Sequence, residues 1–121
     1  FVGKGKIFIE ASKDTGLDPI YLLAHAAWES DWGRSYIAKS KGNYYGIAAY
    51  DYDPVNAASN MGSNIEEGII NGAKWINEEY YKQGHVSLNS MIYGGKMYAS
   101  AKDSWIHGIE SIMKTSYSVL Y

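Results

Sequence analysis

The sequence contains no cysteine and only two prolines among its 121 residues. The absence of cysteine excludes disulfides, thiolate metal ligands and cysteine nucleophiles. No apolar run reaches the ~20 residues that a membrane-spanning helix needs, so no membrane is expected as a partner. Lysine and arginine total 11 against 13 aspartates and glutamates, which leaves no basic surface for nucleic acid. These absences predict an ordinary globular domain.

The first residue is not methionine, and no signal-peptide pattern follows it. We therefore expect residues 1–121 to form a single domain cut from a longer chain. Phenylalanine is scarce, with 2 residues, whereas tyrosine and tryptophan number 12 and 4. Tyrosine and tryptophan join an apolar face to a polar edge, which suits hydrogen-bonded cores and also sugar-binding grooves.

Apolar periodicity and capping residues predict a mainly helical α+β fold. The first helix, in KGKIFIEASKDTG, should end near Gly16. The second, in LDPIYLLAHAAWESDWG, should begin after Asp18 and stop at Gly33. Further helices are predicted in SNIEEGIINGAKWINEEYY, in SLNSMIY and in DSWIHGIESIMKTSY. From Arg34 to Gly62 the pattern changes, which predicts an irregular, partly extended lobe with a short hairpin.

Glu29 is an acidic residue in the middle of an apolar, aromatic stretch, LLAHAAWESDWGRS, and it lies between Trp28 and Trp32. Near the C-terminal end of a helix the dipole disfavours negative charge, and flanking indoles restrict solvation. Both effects raise the pKa of a carboxyl, so Glu29 could keep its proton near neutral pH and serve as a general acid. An exposed structural glutamate fits the same pattern, so helix geometry alone leaves the choice open.

The runs GLDPIYLLAHAAWESDWGRS, NYYGIAAYD and EEGIINGAKWI together resemble glycoside hydrolase family 73, the endo-β-N-acetylglucosaminidase domains of bacterial autolysins and some phage lysins. The likeness extends from about Gly16 through KMYASAKDSW and looks closest to the bifunctional staphylococcal-type branch. It implies a lysozyme-like fold with a small irregular or β lobe beside the cleft. It also implies a single glucosaminidase catalytic domain over residues 1–121, monomeric and without cofactor or metal.

The resemblance implies a peptidoglycan hydrolase that cleaves the β-1,4 bond after N-acetylglucosamine, with Glu29 matching the family's catalytic glutamate. Such an enzyme acts on glycan strands outside the cell, at the cell wall, or is carried by a phage as a lysin. A lytic transglycosylase on the same fold and a non-catalytic wall-binding module are the alternatives. The products distinguish them: a reducing N-acetylglucosamine end, an anhydromuramic end, or no cleavage.

The second catalytic group is open at this point. A two-carboxylate mechanism needs an acid opposite Glu29, and Asp51 matches the family's Tyr-Asp pair. Asp53 precedes a proline and fits a turn instead, whereas Glu66 and Glu67 fit capping-box patterns. Alternatively, the N-acetyl group of the substrate attacks, and Tyr98, which matches a family tyrosine, orients it.

Five side chains are expected to contact substrate: Asn43, Tyr44, Tyr50, Glu66 and Trp105. Asn43, in the family's Asn-x-(Phe/Tyr)-Gly-Ile motif, is also expected to pin the backbone of the lobe. Tyr45, where the family often has phenylalanine, is expected in the core. His25 and Glu29 are four residues apart, but one such pair is weak support for zinc and equally fits a local hydrogen bond or salt bridge.

Overall fold

The computed structural model describes residue 1 and residues 3–47, 59–95 and 97–120. Over these residues the chain is built from helices: α1 (Gly5–Thr15), α2 (Pro19–Ser30), α3 (Tyr36–Lys41), α4 (Ile65–Glu79), α5 (Leu88–Tyr93) and α6 (Lys102–Leu120), with a 3-10 turn at Tyr81–Gln83. No strand occurs among the described residues. The predicted hairpin therefore has no counterpart there, and residues 48–58 of the predicted lobe lie outside the described part.

The ends of the first two helices follow the capping residues in the sequence. Gly16 closes α1 in the left-handed conformation, with φ +79°. Asp18 caps α2 by accepting the Ile20 N–H at 2.8 Å, and Pro19 occupies its first turn. The predicted stop at Gly33 is three residues late, because the chain already turns left-handed at Asp31, with φ 52°. Trp32 and Gly33 continue that turn, at φ 58° and 82°.

A third helix occupies part of the segment that was predicted to be irregular. Ser35 caps α3 by accepting the Ala38 N–H at 3.2 Å, and Gly42 ends it at φ 62°. Both capping signals are present in the sequence, but a helix of six residues is too short to show apolar periodicity. The prediction of a wholly irregular lobe from Arg34 was therefore wrong.

α2 lies at the centre of the fold, packed against α1 on one side and α6 on another, and α1 also packs against α4. The buried side chains of these helices form one core with residues of the 44–47 segment: Phe8, Leu22, Ala26, Tyr45, Ile47, Ile69, Ile76, Met91, Trp105 and Ile109. No helix in the described ranges has the length and apolar character to cross a membrane.

Two glycines of α4 let the chain after α3 lie directly on that helix. A Cβ on Gly68 would stand 2.2 Å from the Gly42 carbonyl oxygen, and one on Gly72 would stand 2.3 Å from the Tyr45 ring. Both distances are far below van der Waals contact. The small residues of α4 therefore determine how closely the 42–47 segment packs on that helix. The same segment places Gly46 against the side chain of Glu29.

Candidate active site

Glu29 lies in the last turn of α2, and its carboxyl is hydrogen-bonded to a side chain of the C-terminal helix α6. Oε1 accepts a hydrogen bond of 2.7 Å from Nε1 of Trp105, on α6. Trp105 is almost fully buried, with 1% of its surface exposed. The packing of α2 on α6 thus brings together two residues separated by 76 positions.

Burial dominates the electrostatics of this carboxyl. Loss of solvation raises the pKa of Glu29 from its ordinary 4.5 to about 7, and the hydrogen bond from Trp105 opposes the rise. Near neutral pH the protonated and ionised forms are then present in similar amounts. A group with this pKa can give a proton to a leaving oxygen and take one back later in the cycle.

The second carboxyl oxygen of Glu29 faces the backbone of Gly46. A Cβ at this position would lie 2.0 Å from Oε2, and Gly46 adopts φ +66°, which disfavours side chains. Only glycine allows the backbone so close to the carboxyl. Gly46 was not among the predicted site residues, although it lies in the NYYGIAAYD run that carried the family resemblance.

Asn43 fixes the short loop that contains Gly46. Its Nδ2 donates to the carbonyls of Ile47, at 2.8 Å, and Ser59, at 3.0 Å, and its Oδ1 accepts the Ile47 N–H at 2.9 Å. The expectation that Asn43 pins the backbone is confirmed. The amide is used in this way and is only 2% exposed, and the expected substrate contact of Asn43 stays a prediction.

The aromatic group against the carboxyl is not one of the two tryptophans that flank it in sequence. Trp28 is 43% exposed and its ring lies over Gly108 of α6, while Trp32 is 45% exposed and packs beside Phe1. Trp105 occupies the place that the sequence analysis gave to them. Its N–H donates to Glu29, and its expected substrate contact stays a prediction.

Tyr98 supports the indole of Trp105 from behind. The two rings stack at 5.4 Å with an interplanar angle of 26°. The hydroxyl of Tyr98 donates to the Tyr45 carbonyl at 2.8 Å. Burial, and then the nearby charge of Glu29, hold the pKa of Tyr98 well above its ordinary value. The phenol therefore stays neutral, with its proton committed to the backbone.

Two more of the predicted substrate-contacting side chains, Tyr44 and Glu66, lie within the described part of the chain. Tyr44 is buried and its ring lies 5.9 Å from that of Phe1, and its expected sugar contact stays a prediction. Tyr45 is fully buried, as expected, and donates to the Ile69 carbonyl. Glu66 is exposed in the first turn of α4. The predicted residues Tyr50, Asp51 and Asp53 lie outside the described residues.

The capping interpretation of the acidic pair on α4 holds for Glu67. Its Oε1 accepts from Asn64 Nδ2 and Ser63 Oγ, each at 3.0 Å, and Asn64 accepts the Glu67 N–H. His25 bonds to Tyr21 and makes no hydrogen bond to Glu29 among the described contacts. Within the described ranges no cluster of three potential metal ligands occurs.

Residues 5–118 match the family model described as "Mannosyl-glycoprotein endo-beta-N-acetylglucosaminidase", under the name Glucosaminidase. A Streptococcus pneumoniae serotype 4 protein named for endo-beta-N-acetylglucosaminidase activity is 39% identical over 110 residues, which are 91% of this chain and 17% of that protein. A bifunctional autolysin of Staphylococcus epidermidis is 35% identical over 108 residues, 73% of this chain and 8% of the relative. The expected likeness was to the staphylococcal-type branch; of these two relatives, the pneumococcal protein has the higher identity. The chain spans about a sixth or less of these curated relatives.

The fold matches crystal structures of autolysin E from S. aureus. The structure in complex with a muropeptide has a TM-score of 0.82 and 30% identity, covering 97% of this chain and 60% of that one. A catalytic mutant of the same protein, with glutamate changed to alanine and a NAG-NAM disaccharide bound, has a TM-score of 0.80 and 28% identity over 95% and 59% of the two chains. These matches confirm the predicted mainly helical fold. With its 5–118 segment matched throughout, the chain belongs to the glucosaminidase family.

Proposed function

We propose that this domain hydrolyses peptidoglycan as an endo-β-N-acetylglucosaminidase, cutting the β-1,4 bond after N-acetylglucosamine with Glu29 as general acid. One observation carries the proposal: a carboxyl with a pKa of about 7, bonded to Trp105 and overlaid by the Gly46 backbone. Burying a carboxyl without a cationic partner destabilises the folded state. A buried carboxyl with a strongly raised pKa therefore points to catalysis more than to packing.

The relatives support the substrate class. The autolysin E structures hold a muropeptide and a NAG-NAM disaccharide. The catalytic mutant of that protein has a glutamate replaced by alanine. We propose that glycan strands of the cell wall are the partner of this domain too, and that it acts outside the cell as one monomeric catalytic unit over residues 1–121.

In the proposed reaction, protonated Glu29 gives its proton to the glycosidic oxygen as the bond to the departing sugar breaks. Where the first step leaves an intermediate, the Glu29 carboxylate afterwards deprotonates the incoming water, which restores the acid; where Asp51 is the base, Asp51 takes the proton of the attacking water instead. Two routes supply the attacking group: Asp51, or the N-acetyl oxygen of the substrate. The bond from Tyr98 Oη to the Tyr45 carbonyl favours a supporting role for Tyr98 over one that orients the N-acetyl amide.

The two routes differ in stereochemistry and in the effect of one substitution. Attack by the N-acetyl group enforces net retention at the anomeric carbon, so an inverted product, detected by NMR immediately after cleavage, would exclude it. If Asp51 is the nucleophile or base, Asp51→Asn should reduce kcat nearly as much as loss of Glu29. If the substrate attacks by itself, the same change should have a smaller effect.

The central test uses Glu29→Gln, which keeps the shape of the side chain and removes its acidic proton. We expect wall lysis to fall by ~10²-fold or more, because acid–base catalysis commonly contributes ~10²–10⁴-fold. Glu10→Gln, at an exposed position on α1, is the matched control and should leave lysis unchanged. Mass spectrometry of wild-type digests should show reducing N-acetylglucosamine ends. Anhydromuramic ends would indicate a transglycosylase, and an absence of cleavage would indicate a binding module.

A further inference from the structure

His25 lies one helical turn before Glu29 on α2 and takes no part in the chemistry proposed above. Its side chain is fully buried. Nδ1 lies 2.8 Å from the Tyr21 hydroxyl; Nε2 has no partner with hydrogen-bond geometry in the described part of the chain, and only the Tyr45 backbone favours a charged ring. An unpaired buried nitrogen destabilises a core, so an aliphatic side chain would pack at this position with less cost. Core packing by itself does not explain a histidine here.

Three aromatic side chains meet the imidazole ring edge to face. The ring centroids lie 4.7 Å from Tyr98, 5.2 Å from Trp105 and 5.4 Å from Tyr45. All three belong to the wall behind Glu29, since Trp105 donates to the carboxyl, Tyr98 stacks on Trp105, and the Tyr45 carbonyl accepts from Tyr98. His25 is therefore in contact with each member of that wall.

The ring is neutral over the range in which the acid titrates. Burial lowers the pKa of His25 to about 3, and the Tyr45 backbone offsets only part of that effect. Around the His25 ring lie the titratable groups Tyr21 and Glu29 from α2, Tyr45 from the loop after α3, and Tyr98 from the segment before α6. The three tyrosines have raised pKa values because they are buried. Among these groups, Glu29 alone changes charge near pH 7.

We propose that His25 is a positioning residue for the general acid: its ring, fixed in rotation by the Tyr21 hydroxyl, holds the Trp105 indole so that Nε1–H meets Oε1 of Glu29. The catalytic part of this inference rests on the proposed function, whereas the geometric part does not. His25 is fully buried and touches no substrate, so it acts through Trp105.

Loss of the imidazole should change Glu29 in a specific direction. The Trp105 hydrogen bond lowers the pKa of the carboxyl, against the effect of burial. If the indole can rotate away while the carboxyl stays buried, the pKa of Glu29 rises. The carboxyl also loses its fixed orientation, and small misplacements of a catalytic group can reduce kcat by up to ~10²-fold.

His25→Leu is the decisive variant, because it removes the ring together with the unpartnered nitrogen. The readout is the indole Nε1–H resonance of Trp105 in ¹H–¹⁵N NMR spectra, assigned by its loss in Trp105→Phe. This resonance is followed from about pH 5 to about pH 9, a range that brackets the pKa of about 7. Tyr21→Phe removes only the hydroxyl that holds the ring. Leu22→Val, at a fully buried neighbour on α2 outside the ring contacts described above, is the control for general loosening of the core.

We expect the titration midpoint to rise in His25→Leu and to rise less in Tyr21→Phe. It should be unchanged in Leu22→Val, even though that variant unfolds at lower urea concentration. If His25 were only a packing residue, the titration midpoint of each variant would change with its loss of stability, so Leu22→Val would shift the midpoint as well. An unchanged or lowered midpoint in folded His25→Leu overturns the proposal. If His25→Leu does not fold, an unchanged midpoint in Tyr21→Phe overturns it.

The kinetic measurement separates this inference from the proposed function. In His25→Leu we expect kcat on glycan strands to fall by ~10-fold or more with KM changed less than about twofold, because the residue does not contact substrate. A loss confined to KM overturns the positioning role. A wild-type domain that cleaves no glycan overturns the proposed function, and the NMR titration still tests His25 in that case.

Discussion

The hydrogen bond between Trp105 and Glu29 links two single residues whose relation cannot be read from local sequence. We predict that Trp105→Phe raises the pKa of Glu29, because the variant keeps an aromatic ring and removes the N–H that stabilises the carboxylate. In a pH–rate profile the alkaline limb should move to higher pH, with a lower maximal rate. Trp28→Phe, at a half-exposed position, is the control. An alkaline limb that stays in place or moves to lower pH contradicts the prediction.

Gly46 is the second single residue on which the site depends. Gly46→Ala should reduce kcat by ~10-fold or more, because its Cβ would stand 2.0 Å from Oε2 of Glu29 and displace the carboxyl. The positive φ adds a loss of roughly 1–2 kcal/mol in the free energy of unfolding.

Gly16→Ala is the matched control for Gly46→Ala, since Gly16 has φ +79° and nothing within 4 Å of its Cβ position. It should lose a similar free energy of unfolding, measured in urea, without a change in kcat. Equal effects on kcat in both variants would show that backbone strain alone, and not the approach to Glu29, limits the rate.

Single residues were predictable from sequence where a local motif carries them. Glu29 and the pinning role of Asn43 were found because both lie in short runs shared with the family. Trp105 was expected near the cleft, but its bond to Glu29 depends on how α2 and α6 pack, which no local pattern encodes. For the same reason the sequence analysis assigned the shielding of Glu29 to Trp28 and Trp32, its neighbours along the chain.

The arrangement of helices depends on the close approach of α4 to the end of α3. Gly68→Ala should lower the free energy of unfolding by roughly 1–3 kcal/mol, the usual range for overpacking. Its Cβ would stand 2.2 Å from the Gly42 carbonyl oxygen, a backbone atom that cannot rotate away. Lys74→Ala, at an exposed position on the same helix, is the control for urea denaturation. Equal unfolding midpoints for the two variants would contradict the tight contact.

Helices were predictable to the extent that their ends carry caps and their faces show periodicity. α1, α4 and α5 occur within the predicted runs, α6 covers its predicted run and extends past both ends, and Asp18 starts α2 as expected. The end of α2 was missed because Asp31 and Trp32, which are not glycine, adopt left-handed backbone before Gly33 does. α3 was missed because it has only six residues, so its caps were the only available signal.

For the whole molecule, Glu29 makes stability depend on pH. The carboxyl binds its proton more tightly in the fold, with a pKa of about 7, than in the unfolded chain, with 4.5. Stability is therefore lost as pH rises from 4.5 to about 7, and the loss amounts to about 3 kcal/mol. We predict that Glu29→Gln abolishes this loss. Relative to wild type, the variant should gain stability as pH rises, when urea unfolding is measured at about pH 4 and about pH 8.

His25 acts in the opposite sense. Its pKa is lower in the fold, about 3, than the ordinary 6.5, so its contribution to stability is complete above pH 6.5 and is lost as pH falls towards 3. In the Glu29→Gln background, stability should therefore increase with pH over this window. A further change of His25 to leucine should flatten that slope. If the stability of the double variant still increased with pH over this window, the increase would have to come from titratable groups other than His25.

The bond between Glu29 and Trp105 also has a consequence for the order in which the domain matures. During synthesis, Glu29 is made 76 residues before Trp105, so a nascent chain carries the acid before its partner exists. The contact has the long sequence separation that makes folding steps slow. Enzymatic competence should therefore be the last property that a refolding chain acquires, appearing with the docking of α6 and later than the bulk of its helical circular dichroism signal.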